Sequence, residues 1–136
     1  MANEVVAHYL DGRLIKGTCL DVDPTRPTCH IKTPEQGMVQ VMLAQLKALF
    51  FVRTLGGDPA YEEVKTVDAG DARARGASPI ELQFADGERV VGLTNRFPPI
   101  RRFFFVVPAD VNSNNLRILV NRSAVESLGQ PAVAMG

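Results

Sequence analysis

The sequence predicts an all-β fold: two small β-barrels in tandem, the product of an internal duplication, joined by a linker. Three observations predict it. The stretch "YLDGRLIKG" (9–17) returns as "FADGERVVG" (84–92). A constant offset of 75 residues carries Asp11 onto Asp86, Gly12 onto Gly87, Gly17 onto Gly92, Pro24 onto Pro99 and Arg26 onto Arg101. Apolar positions follow the same offset, with Tyr9 on Phe84, Ile15 on Val90, Val22 on Phe97 and Ile31 on Val106. Most of the identities are turn residues, and turn residues record backbone geometry.

Each copy reads as the same series of elements. Asp-Gly between two apolar-rich runs signals a hairpin, because both residues tolerate a left-handed backbone. The first hairpin joins "EVVAHYL" to "RLIKGTCLDV", and the second joins "IELQFA" to "RVVGLTNRF". Gly17 and Gly92 fall inside the second strands, where glycine marks a bulge or bend that lets a small sheet curl. Proline-punctuated loops, "DPTRP" and "PPIRR", lead to the third strands "TCHIKT" and "FFFVVP". The turns "PEQG" and "PADVNSNN" differ in length, so the offset becomes 79 before the fourth strands, "MVQVML" and "LRILVN". Such turns tolerate insertion. Leu46 with Leu49, and Val125 with Leu128, have the i, i+3 spacing of one helical turn. A fifth strand, "LFFVRTL", completes the first copy. The second copy runs into the weaker "GQPAVAMG", so its last strand is expected to be short or supplied by a neighbour.

The resulting organisation is a first barrel over 1–56, a linker over 57–78, a second barrel over 79–130 and a tail over 131–136. The linker has little periodicity, and a mobile portion is expected near "DAGDARARGAS". The element order resembles small Sm-like or SH3-like barrels. A domain of that size buries only about 60% of its unfolded surface, so packing two copies together relieves marginal stability.

The combination of "VVAHYLDGRLIKG", "LKALFFVR", "FADGERVVG" and "PADVNSNN" resembles an uncharacterised bacterial family with the motifs "HYLDGR..KG", "LKA.FFV" and "PAD..SNN". The resemblance covers nearly the whole chain outside the linker. It implies relatives and carries over no catalytic residue. In the wider Sm-like class many members bind RNA as rings; this chain departs in being a tandem pair without overall positive charge.

Composition bounds the partners. The chain has 15 basic and 15 acidic residues among 136, which removes the simplest electrostatic case for a general nucleic-acid binder. Residues 1–56 hold 6 basic and 5 acidic residues, as do 79–136, whereas 57–78 hold 3 and 5. The start "MANEVVAHYLDG" lacks the features of a secretion signal, and no apolar run reaches membrane-spanning length. A cytoplasmic protein with reduced thiols and no membrane contact is expected.

No residue set rises to catalysis. Cys19, Cys29, His8 and His30 lack the paired spacing of a zinc site, so no metal and no cofactor is expected. Cys29 and His30 are consecutive and point to opposite faces of a strand, which defeats a direct dyad. Asp11 and Asp86 are explained by their turns. Three successive phenylalanines, Phe103, Phe104 and Phe105, cannot all enter one core, so at least one is expected against the other barrel, another subunit or a ligand, with burial between the barrels favoured. The one concentrated basic-aromatic feature is "RFPPIRR", with Arg96, Phe97, Arg101 and Arg102 as the tentative ligand-binding residues. Pro98 and Pro99 stiffen that loop, and arginine forks suit carboxylates and phosphates. The motif of a cyclic-dinucleotide receptor is missed by one element in each half: Arg96 and Arg101 are one residue too far apart, and Glu126 stands where glycine is wanted. The expected function is therefore a non-enzymatic interaction module with a protein partner, and with homo-oligomers a further option. The alternative is a nucleic-acid or cyclic-dinucleotide binder using the 96–102 loop.

Overall fold

A computed structural model describes residues 3–68, 70–131 and 133–134. The chain is all-β. Ten of its strands form one antiparallel sheet that does not close on itself. In chain order these strands are β1 (Asn3–Tyr9), β2 (Leu14–Cys19), β3 (Thr28–Thr33), β4 (Gly37–Met42) and β5 (Leu46–Val52), then β7 (Ser78–Phe84), β8 (Arg89–Thr94), β9 (Phe103–Pro108), β10 (Asn115–Asn121) and β11 (Val125–Gly129). Two short strands, β6 (Val67–Asp68) and β12 (Val133–Ala134), pair with each other in parallel.

The order across the sheet is β11-β7-β8-β9-β10-β5-β1-β2-β3-β4. Residues 3–52 thus run β5-β1-β2-β3-β4, and residues 78–129 run β11-β7-β8-β9-β10, the same order with the strands renumbered. The two blocks are not separate sheets. They meet where β10 pairs with β5, through Leu119 opposite Leu49 and Val120 opposite Ala48.

Matching positions make matching bonds. The Tyr9 and Phe84 amides donate to the carbonyls of Arg13 and Glu88 at 2.9 and 2.8 Å. The Leu43 and Arg122 amides donate to Pro27 and Arg102 at 2.9 and 2.7 Å. Each hairpin turn is a three-residue loop. Only its glycine is left-handed, at φ +94° for Gly12 and +95° for Gly87. The aspartates do not adopt that conformation. Asp11 and Asp86 instead accept the Arg13 and Glu88 amides, each at 3.0 Å. The two strand glycines are forced by close approach: a Cβ on Gly17 would lie 2.2 Å from the Lys32 carbonyl oxygen, and one on Gly92 would lie 2.2 Å from that of Val107.

The expected helical turns shrink to single 3-10 turns at Leu43–Gln45 and Arg122–Ala124. Leu46 and Leu49 lie in a strand instead. Their spacing reflects a bulge: Ala48 faces His8 and Leu46 faces Tyr9, which leaves Lys47 as the extra residue. Glu126 is skipped in the same way between β11 and β7. A bulge shifts the side-chain alternation by one, so an odd spacing can face one core.

Strand β5 serves two cores. Leu46, Leu49 and Phe51 join Val5, Ile31 and Val41 under the first block. Ala48, Phe50 and Val52 join Ile80, Phe84 and Val106 under the second. The phenylalanine run splits likewise, with Phe104 in the second core and Phe103 and Phe105 against the first. The segment between the blocks is held down. Val67 packs with Val91 and Leu93, and Arg73 bonds Asp71 and donates to the Pro108 and Ala109 carbonyls. Arg73 thus ties one point of the "DAGDARARGAS" stretch to the end of β9 and the residue after it. Part of the tail, Val133–Ala134, is also a strand.

Candidate functional site

The loop between β8 and β9 carries the four residues singled out above. Phe97 turns inward and packs against the second core. This anchors the near side of the loop and leaves the Phe97 ring half-buried. Arg102 anchors the far side: its guanidinium lies 5.3 Å from the centre of the Phe103 ring, with Nε 3.4 Å from Asn121 Oδ1. Arg101 between these anchors and Arg96 just before them are exposed, and Ile100 is 76% exposed. The sequence reading overlooked Ile100, an aliphatic residue flanked by prolines and arginines that no core position claims. Among the described residues neither Arg96 nor Arg101 forms an ion pair. Arg101 lies near enough to Asp23 to help keep that carboxyl below its usual range, a shift due mainly to hydrogen bonds from Thr25.

A second cluster lies at the β10–β5 junction. Lys47 is buried, with Nζ 2.6 Å from Asp86 Oδ2, bonded to Glu88 Oε1, and 4.6 Å above the Phe84 ring. The hydrogen bond from Lys47 holds the Asp86 carboxyl below its usual range. Asn121 Nδ2 donates to the Leu46 carbonyl at 2.9 Å, and Arg117 lies 4.3 and 4.5 Å from the Phe51 and Phe105 ring centres. These groups clamp the two blocks together. Both carboxylates are engaged by Lys47 and remain about half exposed.

Cys19 and Cys29 lie on adjacent strands as free, buried thiols. A hydrogen bond from the Cys29 thiol lowers Cys19, and Cys29 is correspondingly raised. His30 points out from its strand and pairs with Asp21, Nδ1 to Oδ2 at 2.6 Å, with no thiol as its partner. Among the described residues no three of His, Cys, Asp and Glu converge as a metal set, and no helix is long and apolar enough to cross a membrane.

No curated protein and no solved structure matches the chain. One family model does, over residues 1–130, and the chain accordingly belongs to the family of unknown function DUF6982.

Proposed function

We propose that the chain is a non-enzymatic, cytoplasmic interaction module of two fused Sm-like, SH3-like small barrels. Its 96–102 loop would engage an acidic surface on a protein partner. The duplication is supported by the common strand order, the paired backbone bonds and the two crowded glycines. One observation carries the binding face: Ile100 stands 76% exposed between two exposed arginines on a loop pinned at both ends. A pinned loop loses little freedom on binding, and an aliphatic tip flanked by guanidinium groups suits an apolar residue ringed by carboxylates. The chain carries no net charge, so the attraction is local, the affinity modest and salt-sensitive.

A nucleic-acid or cyclic-dinucleotide ligand on the same loop is the second reading, favoured by the unpaired state of Arg96 and Arg101. Affinity capture from the native host, with and without nuclease, separates the two. Arg96→Glu, Arg101→Glu and Arg102→Glu combined, with folding checked by circular dichroism, should abolish capture in either case. Undiminished capture by the folded triple variant at low salt would remove the loop as the binding face.

A further inference from the structure

The β10–β5 junction has unused counterparts at both ends of the sheet. Strand β5 presents one edge to β10, while Lys47 reaches the Asp86–Glu88 turn. In the other block the position of β5 belongs to β11, that of β10 to β4, and that of the turn to Asp11–Arg13. Both β4 and β11 are sheet ends with one edge unpaired among the described residues. Such edges present a row of free amides and carbonyls to a further strand.

The charges at these free ends are complementary in a specific way. The residue placed like Lys47 is Glu126, each the extra residue of its bulge. The residue placed like Glu88 is Arg13. The inner contact is lysine on glutamate; the outer ends carry glutamate and arginine, the same pair with its signs exchanged. Arg13 also lies 4.5 Å over the Tyr9 ring, as Lys47 lies 4.6 Å over Phe84. Among the described residues of the free chain the one ion-pair partner of Arg13 is the exposed Asp11, and Glu126 is exposed with none. Beside β11 an open groove of about 250 Å³ is lined by Gln83, Arg89, Ser127 and Leu128. The matching face of the first block, Val6, Ala48 and Phe50, is covered by the second block's core.

We infer that this chain associates head to tail with further copies of itself, β11 of one copy pairing antiparallel with β4 of the next. The inference rests on the reading of the chain as two fused copies and names a partner for its open edges. Carried over from β10–β5, the register sets Leu128 opposite Gln40 and Ser127 opposite Val41, with Glu126 against Arg13. The outer junction is weaker than the inner one, since Gln40 replaces Leu119 and Gln130 replaces Phe51. Asp11, beside Arg13, also repels Glu126 where Asp86 attracts Lys47. Reversible assembly follows, and a head-to-tail contact adds copies until a ring closes or a filament grows.

The test is the mass of the full chain by light scattering and sedimentation across a range of concentrations at low salt. The expected result is a mass that rises above the 14.8 kDa monomer with concentration. Glu126→Lys should weaken assembly ~3-fold by setting lysine against Arg13. Adding Arg13→Glu should restore it. Gln40→Lys, an exposed change that places a charge on the β4 edge, should hold the chain monomeric. A monomer at every concentration overturns the inference, as do oligomers indifferent to both Glu126→Lys and Gln40→Lys. A monomer still captured through the 96–102 loop overturns self-association alone. Oligomers with no capture remove the loop and leave the assembly.

Discussion

Every residue of β5 is buried, whereas β11 buries Val125 and leaves Glu126 and Ser127 in solvent. The two strands hold the same place in their blocks, each after a 3-10 turn and each bulged against the block's first strand. What differs is the neighbour. Strand β5 lies between β1 and β10, with a core on either face, and β11 has β7 alone. Composition follows position: Phe50, Phe51 and Val52 in one place, Gly129, Gln130 and Pro131 in the other. A strand's residue types therefore report what lies beside it as much as its own fold.

The largest expected effect comes from β5. Phe51 is fully buried and touches Phe105 and Arg117. Phe51→Ala should cost about 3–5 kcal/mol by lost burial and an unfilled cavity. Leu128→Ala, on the half-buried β11, should cost about 1 kcal/mol, since less area leaves water. Urea unfolding of both variants measures the difference. Equal costs would mean that β11 is as well packed as β5.

At the bends the two blocks should behave alike. Gly17→Ala and Gly92→Ala each drive a Cβ into a carbonyl oxygen, where a real side chain cannot sit. Each should destabilise by about 2–3 kcal/mol through a forced backbone shift. A difference well beyond the error of denaturant melts would break the equivalence of the two blocks.

These glycines also show how much of the fold was legible. Gly17, Gly92 and the Asp-Gly turns are backbone devices, so the chain spells them in both copies. The split of the phenylalanine run was legible too, because strand alternation forbids three consecutive rings in one core. Lys47 was not found. Its partners lie in the other block, and its counterpart is Glu126, so a search for identities passes over it. A search for exchanged charges at matching positions would have found it. The 57–78 linker hides its ties for a different reason. Its holding contacts are single residues, Tyr61, Val67 and Arg73, each tied to sequence far away. At the arginine loop the cluster itself was legible, but Phe97 could not be told from an exposed ring, since packing and stacking draw on the same residue type.

Lys47 and Glu126 sharpen the comparison further. Lys47→Met removes the cation that Asp86 and Glu88 face, and should cost about 1 kcal/mol, because both carboxylates remain partly hydrated. Glu126→Met should change monomer stability by less than about 0.5 kcal/mol. The Lys47 effect carries a sign in pH. The Asp86 carboxyl is held below its unfolded value, so its contribution is present above about pH 4 and is lost as pH falls through the folded value. Parent and Lys47→Met should therefore converge in stability on acidification. A gap that persists at pH 2 would assign the loss to the packing of the lysine stem over Phe84.

The smallest effect concerns the hold on the segment between the blocks. Asp110 is buried and accepts the Tyr61 hydroxyl at 2.5 Å and the Val64 and Asn112 amides, each at 2.8 Å. The Tyr61 hydroxyl is the main reason its carboxyl is held low. Asp110→Asn keeps the shape but replaces one accepting oxygen by an NH2 donor, and the remaining oxygen is neutral. Either the Asn112 amide at Oδ1 or the Tyr61 and Val64 donors at Oδ2 then lose their acceptor. The sheet does not depend on this contact, and the global melt should move little. What should change is local opening of residues 58–66, seen as faster exchange of the Val64 amide and cleavage near Lys65. The parent should show the same opening as pH falls through the depressed folded value, where the carboxyl takes up a proton. Were Asp110→Asn to lower the global melt as much as Gly92→Ala, the segment would count as part of the second block's core rather than a strap laid across it.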